Sequence, residues 1–188
     1  MLSRRSFTLS LLSPALFWPQ LLCAQAGEYL SEAEAPPAVF PHATAFERQV
    51  VPSTPELRDR LQALLGATRP SLWEPQYIVY TARQNGRLLG YAVIVEEIGK
   101  HQPITFIVGV RPDGTVQDVA VMVYREPYGG EVRYGRFLAQ YEGKTLHDRL
   151  LPYRDIRNIT GATLSAHSIG RGVRKALALV QTVFLTEP

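Results

Sequence analysis

Apolar and polar positions follow two rhythms along this chain. From Ser53 to Gly66 the rhythm is helical. Leu57, Leu61, Leu64 and Leu65 recur on one face, behind the start signal Ser53-Thr54-Pro55-Glu56, with Gly66 as a stop. After Pro75 the rhythm changes to that of strands. Tyr77 to Thr81, Leu88 to Glu96, Ile104 to Val110 and Thr115 to Tyr124 are rich in β-branched and aromatic residues. Asn85-Gly86 and Arg111-Pro112-Asp113-Gly114 are short turns of the kind that joins antiparallel neighbours. Phe137 to Lys144 reads as a short helix released at Gly143. At the C-terminal end Ile169, Val173, Leu177, Val180 and Phe184 form one apolar stripe. Arg171, Arg174 and Lys175 fall on the other side, which reads as a solvated face. These patterns predict an α+β domain over residues 53–188: an antiparallel sheet of about four strands, with packed helices and a C-terminal amphipathic helix. Residues 27–52, with Pro36-Pro37 and Pro41, have weak periodicity and read as a linker or wrapping extended segment.

The N-terminal stretch has a different character. Ser3-Arg4-Arg5-Ser6-Phe7 resembles a twin-arginine export signal, an apolar run follows to Cys23, and Ala24-Gln25-Ala26 has the small residues of a cleavage site. Residues 1–26 therefore read as an export signal, with an extracytoplasmic, periplasmic destination. An uncleaved N-terminal anchor is the rival reading. Loss of the leader removes Arg4 and Arg5 and takes the formal charge from +3 to +1. A chain so near neutrality gives no electrostatic case for nucleic acid. The leader also holds the single cysteine, so the mature chain would have no thiol for a disulfide, a nucleophile or a metal.

Candidate chemistry gathers in the last third. Tyr124 to Phe137 packs three tyrosines, three arginines and three glycines into one loop. Aromatic faces beside approachable backbone suit a flat heteroaromatic ring, and Tyr128, Gly129 and Gly130 are the candidates there. The alternative is an Arg- and Glu-laced surface loop. Lys100 and His101, between two strands, would suit a phosphate or a ring edge, or form an ordinary polar connection. His42 stands alone, and His147-Asp148 has no third ligand in view, so neither argues for metal.

The richest stretch is Asp155 to Ser165, where a loop becomes the last helix. Thr160, Gly161, Ala162, Thr163 and Ser165 put hydroxyls and small residues at a helix start, whose free N–H groups and positive dipole end favour an anion. The same residues would also serve as a hydroxyl-rich cap with no ligand. Thr160-Gly161-Ala162-Thr163-Leu164-Ser165 resembles the S/T-G-A-T-x-S/T motif of the FMN-binding domain family, which includes the C and G flavin subunits of the sodium-pumping NADH:quinone reductase and the Rnf complex. Tyr124-Arg125-Glu126-Pro127-Tyr128-Gly129-Gly130-Glu131-Val132 and the F-x-x-Q-x-x-G-K segment at Phe137 extend the likeness upstream. The resemblance implies FMN as cofactor, held by a phosphoester to Thr163 that a dedicated flavin transferase makes. It departs from the family at Arg157, where an acid is usual; Asp155 lies two residues back.

The resemblance further implies an electron carrier that exchanges electrons with redox partner proteins, some of them membrane-bound. A flavoenzyme reducing a small periplasmic acceptor and a flavin-free binding or assembly module of the same fold are the alternatives. No nucleophile elbow, zincin helix, P-loop or dinucleotide fingerprint is present.

Overall fold

The structure, a computed structural model, describes residues 27–185. The expected export signal lies outside the described residues. Six strands form one antiparallel sheet: β1 (Gly27–Glu28), β2 (Ala45–Pro52), β3 (Gln76–Gln84), β4 (Arg87–Ile98), β5 (Pro103–Val110) and β6 (Val116–Tyr124), in the order β1-β6-β5-β4-β3-β2. The four expected strands are its centre. The two additional ones are its edges, and both come from residues 27–52. That segment is folded into the domain rather than tethering it. Between its two strands, α1 (Ala35–Val39) covers one face of the sheet.

The other face carries α2 (Pro55–Leu65) and, beyond the short α3 (Gly135–Leu138), the long α4 (Thr163–Val180). Thr54 caps α2, its hydroxyl accepting from the Leu57 N–H, while the Ser53 hydroxyl accepts from Arg58. Strand alternation divides the side chains between the layers. Ile104, Phe106 and Val108 of β5 pack under α4, whereas Ile107 joins Phe40, Tyr80 and Met122 under α1. With both faces covered, β5 is buried from Ile104 to Val110. Asn85 and Gly86 both take positive φ (50° and 82°), as the tight β3–β4 turn requires. Among the described residues no helix is long and apolar enough to cross a membrane.

The predicted stripe of α4 is buried as expected, and each of Ile169, Val173 and Leu177 contributes about 1.5–3 kcal/mol. Its other side is not the solvated face expected. Lys175 is fully buried, with its ammonium 2.9 Å from Glu74, 3.0 Å from Glu97 and 2.8 Å from the Glu96 carbonyl. Arg171 pairs with the other oxygen of buried Glu97 at 3.2 Å, and Arg174 donates to the carbonyls of Leu146 and Asp148. The sheet and the loop after Trp73 supply the acids, so the cations are neutralised inside. Two glycines bring α4 this close. A Cβ on Gly170 would stand 2.1 Å from the Leu150 carbonyl oxygen, and one on Gly172 would stand 2.3 Å from the Phe106 ring.

Two substitutions in α4 and one surface control test this seating. Lys175→Ala removes the buried cation shared by Glu74 and Glu97, leaving Glu97 only Arg171 and Ser71 on its other oxygen, and should lower unfolding free energy by about 3–5 kcal/mol in denaturant titration. Arg48→Ala, which breaks a half-exposed pair with Glu32, should change it by less than about 1 kcal/mol. Gly170→Ala should destabilise by about 1–3 kcal/mol despite the better helix propensity of alanine, because the new methyl has no room.

Candidate functional site

Three segments meet at one end of the sheet. The β4–β5 connection brings Lys100 and His101. The chain leaving β6 brings Glu126, Pro127 and Tyr128. The turn into α4 brings Gly161 through Ser165. Together they line a cavity of about 630 Å³, within the range of a cofactor-sized ligand site. A β-bulge makes the assembly possible. Thr105 pairs with Val123 but Phe106 pairs with Val121, so Met122 is an extra residue in β6. The bulge reverses the alternation and turns Tyr124 from the α1 face to the α4 face. There its hydroxyl donates to the Tyr128 carbonyl at 2.6 Å and lies 2.9 Å from Ser165 Oγ, which donates to it. Gly129, at φ 81°, lets the loop press on the helix start: a Cβ there would be 3.2 Å from Ser165 Oγ and 3.3 Å from Ala162 Cα.

The helix start is open. Ile159 to Ala162 is a turn closed by the Ala162 N–H to the Ile159 carbonyl, with Gly161 at φ 84°. Ala162 stands at the N-cap and has no side-chain group to offer, so the first N–H groups of an 18-residue helix are left uncapped. Thr163 is the first helical residue. Its hydroxyl oxygen accepts from Asn158 Nδ2 at 2.7 Å, and the Tyr153 hydroxyl is 3.5 Å away. The preceding loop is strained, with Leu150 at φ 54° and Tyr153 at φ 63°. Asp155 holds it in place by accepting the N–H groups of Leu150 and Leu151 at 2.8 and 2.9 Å.

One carboxylate lies on the cavity wall, and it is engaged. Glu126 accepts the N–H groups of His101 at 2.5 Å and Gln102 at 2.9 Å. Burial alone would raise its pKa. The backbone N–H groups of Gln102, His101 and Lys100 outweigh burial and hold the carboxyl below the usual range. Glu126 thus shapes the β4–β5 connection and carries no proton to donate at neutral pH.

Of the residues expected at a site, Tyr128, Gly161, Ala162, Thr163 and Ser165 are on the cavity wall, with Lys100 and His101 opposite. Ser165 is buried and its proton is committed to Tyr124. Thr160 is the exposed corner of the turn, and Gly130 begins a 3-10 turn; neither lines the cavity. The arginines of the Tyr-rich loop also turn away. Arg133 lies over the rings of Tyr29 and Tyr134, Arg136 over Tyr134, and Arg125 donates to Pro103 and Thr105. Ser168 donates to the Ile98 and Leu164 carbonyls, so it is engaged in packing. Burial, then the charge of Arg171, lower the pKa of His167. Asp148 accepts from Thr145 and pairs with Lys144, and among the described residues no cluster of His, Cys, Asp and Glu is arranged for a metal. Sequence pattern alone does not single out Glu126, Tyr124, Tyr153 or Asn158 as site residues. Asn158 nevertheless lies within the hydroxyl-rich stretch, five residues before Thr163.

A second concavity, of about 490 Å³, lies around the β3–β4 and β5–β6 turns and includes His42 and Arg111. Arg111 is already taken up by Gln117, Thr115 and Glu142.

The cavity walls all fall within one matched region: residues 99–178 match the sequence model of the FMN-binding domain. This chain carries an FMN-binding domain. Over 111 residues it is 29% identical to the G subunit of the proton-translocating ferredoxin:NAD(+) oxidoreductase complex of Clostridium ljungdahlii. The aligned part is 55% of this chain and 60% of that protein, so the chain spans less than two thirds of its relative. FMN is the cofactor, and the geometry of the FMN-binding domain suits it. An uncapped helix start and Lys100 suit a phosphate; Pro127, Tyr128 and Leu164 offer surface for a ring.

The engaged state of Glu126 predicts a pH effect. Its folded pKa is depressed, so its contribution is present above the ordinary carboxyl value of about 4.3 and is lost as the pH falls through the lower folded value. Hydrogen-exchange protection of the His101 and Gln102 amides should fall in that acid range. In Glu126→Gln it should already be low at neutral pH, with about 1–3 kcal/mol of stability lost.

Proposed function

We propose that this protein is an extracytoplasmic electron-transfer flavoprotein that carries FMN through a phosphoester bond to Thr163. The observation that carries the proposal is the placement of the Thr163 hydroxyl. It stands at the uncapped start of α4, on the wall of the cavity, within the matched domain. A phosphodiester formed there keeps one negative charge beside the helix N-terminus, a favourable location by about 0.3–1 kcal/mol. When bound, FMN supplies the one- and two-electron redox chemistry.

The open surface at the site favours a carrier over an enzyme that turns over a small acceptor, and the one carboxylate on the wall is not a free proton donor. Such an enzyme needs a proton donor or acceptor of matched pKa beside the ring. The wall carboxylate, Glu126, is held ionised by backbone N–H groups and faces them. Around Thr163 the surface is open instead: Leu164 is 53% exposed and Tyr128 83% exposed, which suits approach by another protein. Similarity to one component of a ferredoxin:NAD(+) oxidoreductase complex supports redox partners at a membrane. The twin-arginine-like leader supports export, and a covalent bond suits a protein that works away from the cytosolic FMN pool. A flavin transferase is the partner that attachment requires.

Intact mass of the exported protein, made together with a flavin transferase, tests this reading. The expected result is the mature chain plus FMN less one water, with the added mass on the Thr163 peptide. Thr163→Val should lose all attached flavin and keep its circular dichroism. Covalent flavin on the Val variant would overturn the assignment.

A further inference from the structure

We propose that Asn158, steadied by Tyr153, is the residue that orients the Thr163 hydroxyl for flavin transfer. The inference rests on attachment at Thr163 and names the group that makes this threonine a good acceptor.

Three polar atoms form a triangle behind Thr163: Thr163 itself lines the cavity, and Asn158 and Tyr153 lie on the loop beside it. Asn158 Nδ2 donates to Thr163 Oγ at 2.7 Å and to the Tyr153 hydroxyl at 2.6 Å, and the two hydroxyl oxygens are 3.5 Å apart. Both amide protons are thereby used. The other end of the amide gains nothing: Asn158 Oδ1 is buried and has no hydrogen-bond partner among the described residues. An unpaired buried acceptor is unfavourable, so packing stability does not explain the orientation of this side chain. Tyr153 is equally unexplained by stability. It holds a left-handed φ of 63° and is 73% exposed. The backbone beneath the triangle is fixed. Tyr153 N–H donates to Ile156, Asp155 clamps the loop, and Gln140 accepts the Arg157 N–H at 2.7 Å.

The chemistry of transfer needs such a donor. The Thr163 oxygen attacks the flavin-side phosphorus of a flavin dinucleotide held by the transferase. A P–Oγ bond forms, the pyrophosphate P–O bond breaks, and the nucleoside monophosphate leaves. The hydroxyl proton passes to a base of the transferase, and nothing is oxidised or reduced. A threonine hydroxyl rotates freely unless a partner fixes it. With one lone pair held by Asn158, the remaining lone pair and the proton point away from the amide, and correct orientation of a nucleophile contributes strongly to rate. After transfer the same oxygen is an ester oxygen with no proton, and it can only accept. An amide N–H serves it before and after the reaction. A carboxylate in that place would accept the hydroxyl proton beforehand and face the phosphodiester charge afterwards.

The test is the kinetics of flavin loading with purified transferase and a flavin dinucleotide, followed by intact mass and by covalent flavin fluorescence on denaturing gels. The full-length chain is compared with Asn158→Asp, Asn158→Ala and Tyr153→Phe. In both Asn158 variants kcat for loading should fall about tenfold or more, with KM for the acceptor protein and the circular dichroism unchanged. Tyr153→Phe, which loses only the steadying hydroxyl, should fall about threefold. Asn158→Asp keeps the shape of the side chain, so it separates loss of donation from loss of packing. Loading of Asn158→Asp at the native kcat would overturn the proposal, as would a defect confined to KM, which would make Asn158 part of the docking surface. Absence of loading in the unaltered chain would instead overturn attachment at Thr163 itself.

Discussion

The seating of α4 on the sheet sets the position of everything at the site. Gly172 removes the side chain that would hold the helix off the sheet at Phe106, Gly170 removes the one that would meet the Leu150 carbonyl of the loop, and the buried ammonium of Lys175 is held by two carboxylates from outside the helix. These contacts do different things. The glycines fix how near the helix comes; the ion cluster fixes which turn lies over β4. A slide by one residue, about 1.5 Å, would drive a side chain into the Phe106 ring and separate Lys175 from Glu97. Thr163 is twelve residues from Lys175, about 18 Å along a rigid helix, and inherits that precision.

The rest of the site is built from local departures from regularity. A bulge in β6 turns Tyr124 toward the helix. Gly129 lets the following loop touch the helix start, and two non-glycine residues with positive φ carry the chain from Leu150 to Asn158. Such features are unfavourable taken singly. Here they are over-determined by neighbours: Asp155 by two N–H groups, Tyr124 by Tyr128 and Ser165. The regular sheet and helix supply the stability that offsets these exceptions.

Much of this is legible in the chain, for physical reasons that differ by element. The four central strands are long, apolar and bounded by turn residues, so local pattern alone marks them. β2 is an edge strand whose positions are mostly exposed, and β1 has two residues, so neither carries enough apolar alternation to be read. Lys175 reads wrongly as a solvated residue because its partners, Glu74 and Glu97, are remote in sequence, and a helical wheel knows nothing of them. Around the site, Thr163 and its glycine-containing turn are visible because they are contiguous. Asn158 and Tyr153 depend on how a strained loop folds back. The bulge that recruits Tyr124 leaves no mark that separates Met122 from any other apolar strand residue.

The sheet edge has a last consequence, concerning reach. Gly27 pairs with Tyr124, the residue whose hydroxyl reaches Ser165, and Arg133 lies over the nearby ring of Tyr29. The described chain therefore enters the fold beside the cavity, not at the far end of the sheet. A domain joined ahead of Gly27 through a short flexible linker would meet the flavin end at a millimolar effective concentration, on the order set by linker length. The same domain joined after Leu185, behind the far end of α4, would have to span the long axis of the helix first. Fusion at the N-terminal side is thus the geometry in which a tethered redox partner and this cofactor would exchange electrons as a single molecule.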